Sequence, residues 1–315
     1  MDNISNKLDL NIFTDKFKLI STDIIIDDLK KFGYFSYEKA LTDEVINEIE
    51  KDATKSKINL NNNKITGVYS EKQYYFTNLL ASSKKFYNFV TSDFVFNISE
   101  KFLGKEFRLK ALRYYETLGG HHMQWHSDNK TDKQFAQIPG LIFIFYISDV
   151  ADGEFQYIQG SHIWSGKSEY SDYNDQLIEK NYKDKIKSFK LQKGSLIIYN
   201  SYGIHRAKPV KNKKFIRKSV FFQVDAKTDN SEPIIINTEY IEKVDKRLSM
   251  FLGFGKPSNY NVFPSTSLNT LQFNKNFFIT ITKYFIYRFL KNILNFLPLS
   301  IKKNLEIKLK YFKKI

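Results

Sequence analysis

Two hydrophobic periods divide this chain. Up to about residue 104 the spacing is mostly helical. A helix is expected over 24–31, and another opens at Thr42 or Asp43, where a capping side chain precedes acidic Glu44 and the apolar Val45, Ile46 and Ile49. A third is expected over 89–103, ending at Gly104, with a short strand at 33–37 between the first two. From Glu106 the texture changes to short runs rich in Phe, Tyr, Ile and Val, at 107–117, 141–147, 155–158, 196–199 and 215–224, separated by Gly, Asp, Asn and Ser. Strands without intervening periodic helices predict an antiparallel sandwich or jelly roll and not a βαβ sheet. Residues 166–190, rich in Ser, Tyr, Asp and Lys, read as an irregular insert.

The helical period returns near the C-terminus. Phe277, Phe278, Ile281, Tyr284, Phe285, Phe289 and Ile293 fit one broad face, and after Pro298 the residues Ile301, Leu305, Leu309 and Phe312 repeat at helical spacing. Lysines fill the opposite face of this second helix. The chain carries 49 Lys plus Arg against 34 Asp plus Glu, a net +15. From Lys275 onward ten basic residues face Glu306 alone, so this segment holds most of the excess. Two readings follow for 275–315: helices packed on the barrel or on a dimer partner, or helices lying on an anionic membrane surface. Lys283, Arg288 and Lys291 interrupt the most apolar stretch, so a transmembrane span is not expected. No secretion signal is read in 1–20, and the expected location is cytoplasmic, with peripheral membrane contact as the variant. No nucleic-acid partner is expected, because the basic residues gather in an amphipathic tail and not on an aromatic strand surface.

Composition narrows the chemistry. With 29 Phe, 20 Tyr and 42% hydrophobic residues the chain has ample surface to bury. It has no cysteine, which removes disulfides, thiolate zinc sites, iron–sulfur clusters and cysteine nucleophiles. Any metal must sit on His, Asp or Glu. All five histidines, His121, His122, His126, His162 and His205, lie in the β-rich half. In a strand, Gln124, His126 and Asp128 project to one face. A histidine from a distant neighbouring strand would complete a two-His, one-carboxylate face that leaves open positions on Fe(II) for a chelating co-substrate and O2. His205, after the 196–199 run, is the histidine in a suitable late strand. Arg217 and Ser219 then pair a permanent cation with a hydroxyl on one strand face, a clamp for a carboxylate.

With these residues in view the sequence resembles the phytanoyl-CoA dioxygenase family of Fe(II)- and 2-oxoglutarate-dependent oxygenases. Gly33-Tyr34-Phe35 before a capped helix is similar to its N-terminal signature, and 152–162, ending Gly160-Ser161-His162, to its strand that ends in Gly-Ser-His. The resemblance covers roughly residues 20–225. It implies a mainly β fold, a double-stranded β-helix (jelly roll, cupin-like) with flanking helices. It implies Fe(II) on His126, Asp128 and His205, and 2-oxoglutarate on Arg217 and Ser219; Gln124, on the inward face beside His126, reads equally as a contact to co-substrate or substrate or as a hydrogen-bonded barrel glutamine. Its chemistry couples decarboxylation of 2-oxoglutarate to succinate and CO2 with hydroxylation of a substrate. Asp128 speaks against halogenation, while desaturation, epimerisation and ring closure stay open.

The competing readings are structural. A helical His122/His126 metal pair lacks the glutamate of a zinc-protease motif and follows Gly119-Gly120. His162 reads as a turn residue, Trp125 and Trp164 as packing, and the cations Arg206, Lys208, Lys211, Lys213, Lys214 and Lys218 mostly as a solvated loop. The expected organisation is a dioxygenase domain at 1–228, a variable connection at 229–274 and basic amphipathic helices at 275–315. The expected function is oxidation of a small-molecule or lipid-linked substrate; the alternative is a non-catalytic cupin-like binding protein.

Overall fold

The computed structural model describes residues 11–62, 68–70, 73–119, 123–128, 138–164, 174–226, 231–257 and 275–294. The chain divides into two compact units, Met1–Asn269 and Thr270–Ile315.

The first unit is built on two antiparallel sheets with flanking helices. Its strands are β1 (Tyr34–Tyr37), β2 (Val68–Ser70), β3 (Gln73–Phe76), β4 (Phe107–Thr117), β5 (Gly140–Tyr146), β6 (Phe155–Ile158), β7 (Ile186–Phe189), β8 (Leu196–Asn200), β9 (His205–Ala207) and β10 (Arg217–Ala226). The large sheet runs β1-β8-β5-β10-β4-β3-β2 and the small one β7-β6-β9. This is the jelly-roll arrangement expected from the strand-turn-strand texture.

Strand β5 shows why the sequence folds this way. All seven of its residues are buried, because both faces of the sheet are covered. Phe143 and Phe145 point to the helical layer, where Phe143 stacks on Phe222 at 4.7 Å and Phe145 meets Phe89 edge-on at 5.2 Å. Ile142, Ile144 and Tyr146 point the other way, into a second cluster with Phe155, Tyr157, Phe189 and Tyr199 between the sheets. Each such side chain contributes about 1.5–3 kcal/mol through burial, and together they fix the register that faces the cavity.

The helical layer includes Thr22–Lys31, capped by Ser21, and Asp43–Asn62, where the Thr42 hydroxyl accepts from the Val45 amide. The expected 89–103 helix is two: Lys84–Val90 and Asp93–Leu103, with Ser92 capping the second and Gly104 ending it. The irregular reading of 166–190 needs correction, since it contains the helix Asp175–Tyr182 and β7; the exposed polar pair Lys187 and Ser188 in the middle of that short strand hides its period. Strands β2 and β3 also interrupt the region read as helical. Beyond β10, the helix Lys246–Leu252 places Leu248 and Phe251 in the main core.

In the second unit the helix Lys275–Leu294 is described, while the proposed second tail helix, at 301–312, lies outside the described residues. Among the described residues no helix is long and apolar enough to cross a membrane.

Candidate active site

The centre of the first unit's cavity is an isolated bridge between two histidines. His126 and His205 pair directly, N–H to carbonyl in both directions at 3.0 and 2.9 Å. Direct pairing puts both rings on one side, with centroids 4.3 Å apart. Each ring also holds the carbonyl two residues before it: Nδ1 of His126 lies 2.8 Å from the Gln124 oxygen, and Nδ1 of His205 lies 3.0 Å from the Gly203 oxygen. A carbonyl only accepts, so each Nδ1 carries a proton, which leaves Nε2 as the atom each ring can offer a metal. Both Nε2 atoms turn toward Asp128, at 3.9 Å for His126 and 3.3 Å for His205.

One donor atom from each of the three residues falls within 4.8 Å of the others. Burial pushes the His205 pKa down to about 4, with the neighbouring His126 adding to the effect against the opposing pull of Asp128. The ring is therefore neutral at pH 7, as a metal ligand must be. Two imidazoles and one carboxylate, with no sulfur, fit Fe(II) with open positions. The Tyr199 hydroxyl donates to Asp128 Oδ2 at 3.0 Å and lies 3.3 Å from His205 Nε2. Burial and the Asp128 charge hold its pKa well above 10, so it stays a donor.

The cavity encloses about 210 Å³. Arg217 lines it from the start of β10, opposite Thr117 of β4, and Ser219 sits two residues on, opposite Tyr115 and Tyr146. The Arg217 guanidinium is buried; it donates to the Gly153 carbonyl and, at 3.2 Å, to the Thr117 hydroxyl. Among the described residues its Nε has no partner. Burial lowers its pKa, although an arginine keeps its charge throughout. A buried cation with an unused donor and no ion pair is costly until an anion arrives, so this end of the cavity suits a carboxylate such as the far one of 2-oxoglutarate.

The other expected residues take different places. Gln124 is a correction: its side chain is exposed and does not line the cavity, whereas Met123 does. The segment before His126 is not a strand, so the alternation used to place Gln124 fails there. Trp125 is fully buried among Ile158, Ile178 and Ile204, and Trp164 packs on Tyr182. His162 Nε2 donates to the Lys30 carbonyl at 2.9 Å, a structural contact. Lys218 points away from the cavity to Glu50 at 2.7 Å. Arg206 is buried against Asp175 and the half-buried Lys208 pairs with Glu154, while Lys211, Lys213 and Lys214 are exposed as expected of a solvated loop. His121 and His122 lie outside the described residues. Tyr199 escaped the sequence reading, although its place on β8 facing His205 follows from strand alternation once β8 is anchored. Arg113 and Glu232, also on the cavity wall, were missed: charge on a strand such as Arg113 reads as a solvent face, and Glu232 lies beyond the last strand.

The fold is a jelly roll, and this donor set is a candidate metal centre of two histidines and one carboxylate. A family model for phytanoyl-CoA dioxygenase (PhyH) matches residues 29–219, and the chain belongs to that family of Fe(II)- and 2-oxoglutarate-dependent oxygenases. Fe(II) is its metal, and 2-oxoglutarate and O2 are its co-substrates. Among solved structures, HygX from Streptomyces hygroscopicus, crystallised with nickel, 2-oxoglutarate and hygromycin B, is similar at TM-score 0.53 and 13% identity, covering 67% of this chain and 89% of that one. HygX has also been crystallised with iron. SnoK, a non-heme α-ketoglutarate-dependent carbocyclase from nogalamycin biosynthesis, is similar at TM-score 0.52 and 12% identity, covering 67% and 85%. At these identities the likeness carries the fold. A sequence comparison with curated proteins finds no match.

Proposed function

We propose that the protein hydroxylates a small-molecule or lipid-linked substrate, with His126, Asp128 and His205 holding Fe(II) and Arg217 with Ser219 holding the distal carboxylate of 2-oxoglutarate. The observation that carries this reading is the pairing, in one cavity, of two Nε2 atoms converging on Asp128 with a buried guanidinium whose Nε lacks a partner among the described residues. When bound, the metal and co-substrate supply the oxidising chemistry: O2 is consumed, 2-oxoglutarate becomes succinate and CO2, and one oxygen atom goes to the substrate. The chain's residues orient and shield that chemistry. The carbonyls of Gln124 and Gly203 fix the imidazole tautomers, the neutral Tyr199 hydroxyl donates to the Asp128 carboxylate and holds it in place, and Phe155 packs against His205 at 5.5 Å to keep bulk water off the ring.

HygX binds hygromycin B, which supports a small-molecule substrate; SnoK is a carbocyclase, so ring closure stands beside hydroxylation as an outcome. An untargeted mass comparison of cell extract treated with the active protein and with Asp128→Ala separates them. A product that gains one oxygen supports hydroxylation, and one that loses two hydrogens supports ring closure or desaturation. Binding of iron and 2-oxoglutarate with no succinate from any extract would favour the non-catalytic cupin-like alternative.

A second reading concerns the C-terminal helix. Lys275–Leu294 contains no acidic residue, and Ile279, Ile286, Phe289, Leu290 and Ile293 are exposed along one side, Phe289 at 66%. At 100° per residue Arg288 lies on the other side, while Lys283 borders the stripe beside Leu290. An anionic bilayer complements both features, with about 1 kcal/mol per basic residue near the surface. Full-length protein should sediment with phosphatidylserine vesicles and not with phosphatidylcholine ones, and Phe289→Glu with Ile293→Glu should abolish this. Equal sedimentation with both lipids, or none, would contradict it.

A further inference from the structure

The cavity has a second charged region that the iron and 2-oxoglutarate do not use. On the inward faces of β4 and β10, beyond Tyr115 and Ser219, lie Arg113, Phe221 and Gln223. Arg113 forms an ion pair with Glu232, and the two side chains are only 15% and 8% exposed. The Arg113 guanidinium also lies over the Tyr75 ring, 5.7 Å from its centre. Behind them Lys110 pairs with Asp225 at 3.0 Å, and Gln223 donates to the same carboxylate at 2.8 Å. The Glu232 amide donates to the Lys110 carbonyl at 2.7 Å, which ties the segment carrying Glu232 to the wall.

A buried ion pair is weak support for a fold, because desolvation offsets most of its attraction. Lining a cavity, it has a different consequence. A hydrocarbon chain laid against Arg113 and Glu232 would take the remaining water from both charges and return no hydrogen bond. A polyanion would need surplus cations, and here two cations, Arg113 and Lys110, face two carboxylates, Glu232 and Asp225. What such a wall does recognise is a group that both donates and accepts.

Resting on the oxygenase reading above, we infer that Arg113 and Glu232 form the subsite that selects the substrate, and that it takes a polar group bearing hydroxyls and an amine, the amine meeting Glu232 and the hydroxyl oxygens meeting Arg113. The same chemistry occurs in a free metabolite and in a lipid head group; an acyl chain does not provide it.

The test uses the full chain with Fe(II), 2-oxoglutarate and air, with succinate as the readout. The probes are the water-soluble fraction of a cell extract, the lipid fraction, and the head groups released from that lipid fraction by mild alkali. Succinate release without any probe should persist in Arg113→Met, in Glu232→Met and in the double variant, which shows the iron centre intact; its absence in the wild type both without and with every probe refutes the oxygenase reading instead. The water-soluble fraction or the released head groups should stimulate the wild type, and the variants should need at least tenfold more for half-stimulation; which of the two works assigns the source. Stimulation by intact lipid that disappears when the head groups are released, or equal stimulation of wild type and variants, overturns the subsite. If no fraction stimulates, the unfolding midpoint of the double variant decides. A midpoint equal to or above that of the wild type supports the subsite, and a clear fall shows that the pair serves folding and overturns it.

Discussion

Replacing Arg217 with methionine removes a cation that the fold holds out of water with little compensation. The guanidinium is buried, its contacts are neutral oxygens of Gly153 and Thr117, and its Nε has no partner among the described residues. Hydrogen bonds to charged groups contribute about 1.5–3 kcal/mol each. Losing a carboxylate clamp of that kind costs on the order of 3 kcal/mol, or about a hundredfold in the Michaelis constant for 2-oxoglutarate. Methionine approximates the stem's shape without the charge, so the apo-protein should unfold at an equal or higher denaturant concentration. Lysine keeps the charge but not the fork, so Arg217→Lys should fall between. The assay is succinate release against 2-oxoglutarate concentration with Fe(II) in excess, beside a urea melt. A Michaelis constant for Arg217→Met within threefold of the wild type would refute the reasoning, as would a large loss of apo stability.

Three further outcomes follow from the structure. Trp125 stands opposite Arg206 across the histidine bridge, on the face away from the cavity, and the guanidinium lies 4.2 Å from the ring centre while its Nε donates to Gln156 at 2.9 Å; Arg206→Met should weaken metal affinity about tenfold in a chelator competition, and unchanged affinity would contradict this positioning role. A Cβ on Gly203 would come within 1.6 Å of the Tyr157 hydroxyl and 2.0 Å of its ring carbon Cζ, so Gly203→Ala should cost about 1–3 kcal/mol in a denaturant melt, and an unshifted midpoint would count against the packing described. Burial lowers the pKa of His162, so the unfolded chain binds the proton that the native state refuses; its contribution is complete above pH 6.5 and is lost as pH falls through that value toward the lower native one. His162→Gln should therefore flatten the decline in urea midpoint between pH 7 and pH 5, and an identical decline would refute the assignment.

Much of this site is legible in the sequence because its parts depend on short spacings within strands. Arg217 and Ser219 share a face since β10 is regular there, and their register against Thr117 and Tyr115 follows from antiparallel pairing. His126, Asp128 and His205 come together because one bridge brings two distant segments into contact. Gln124 illustrates the limit. Strand alternation was extended through a segment that pairs only at His126, and there the backbone turns Met123 to the cavity instead. Strands β2 and β3 were hidden by their brevity, and β7 by the exposed polar pair Lys187 and Ser188 at its centre. Arg113 and Glu232 stayed hidden for a related reason: Glu232 lies beyond the last recognised strand, and its burial depends on a tertiary contact that no local pattern records.

The most direct test of the account is 2-oxoglutarate turnover by the purified full chain, with and without Fe(II), in the wild type and in Asp128→Ala. The account predicts iron-dependent succinate release from the wild type, and in Asp128→Ala a loss of at least a hundredfold together with weakened iron binding. Succinate release that is indifferent to iron, or that survives removal of the Asp128 carboxylate, would contradict it.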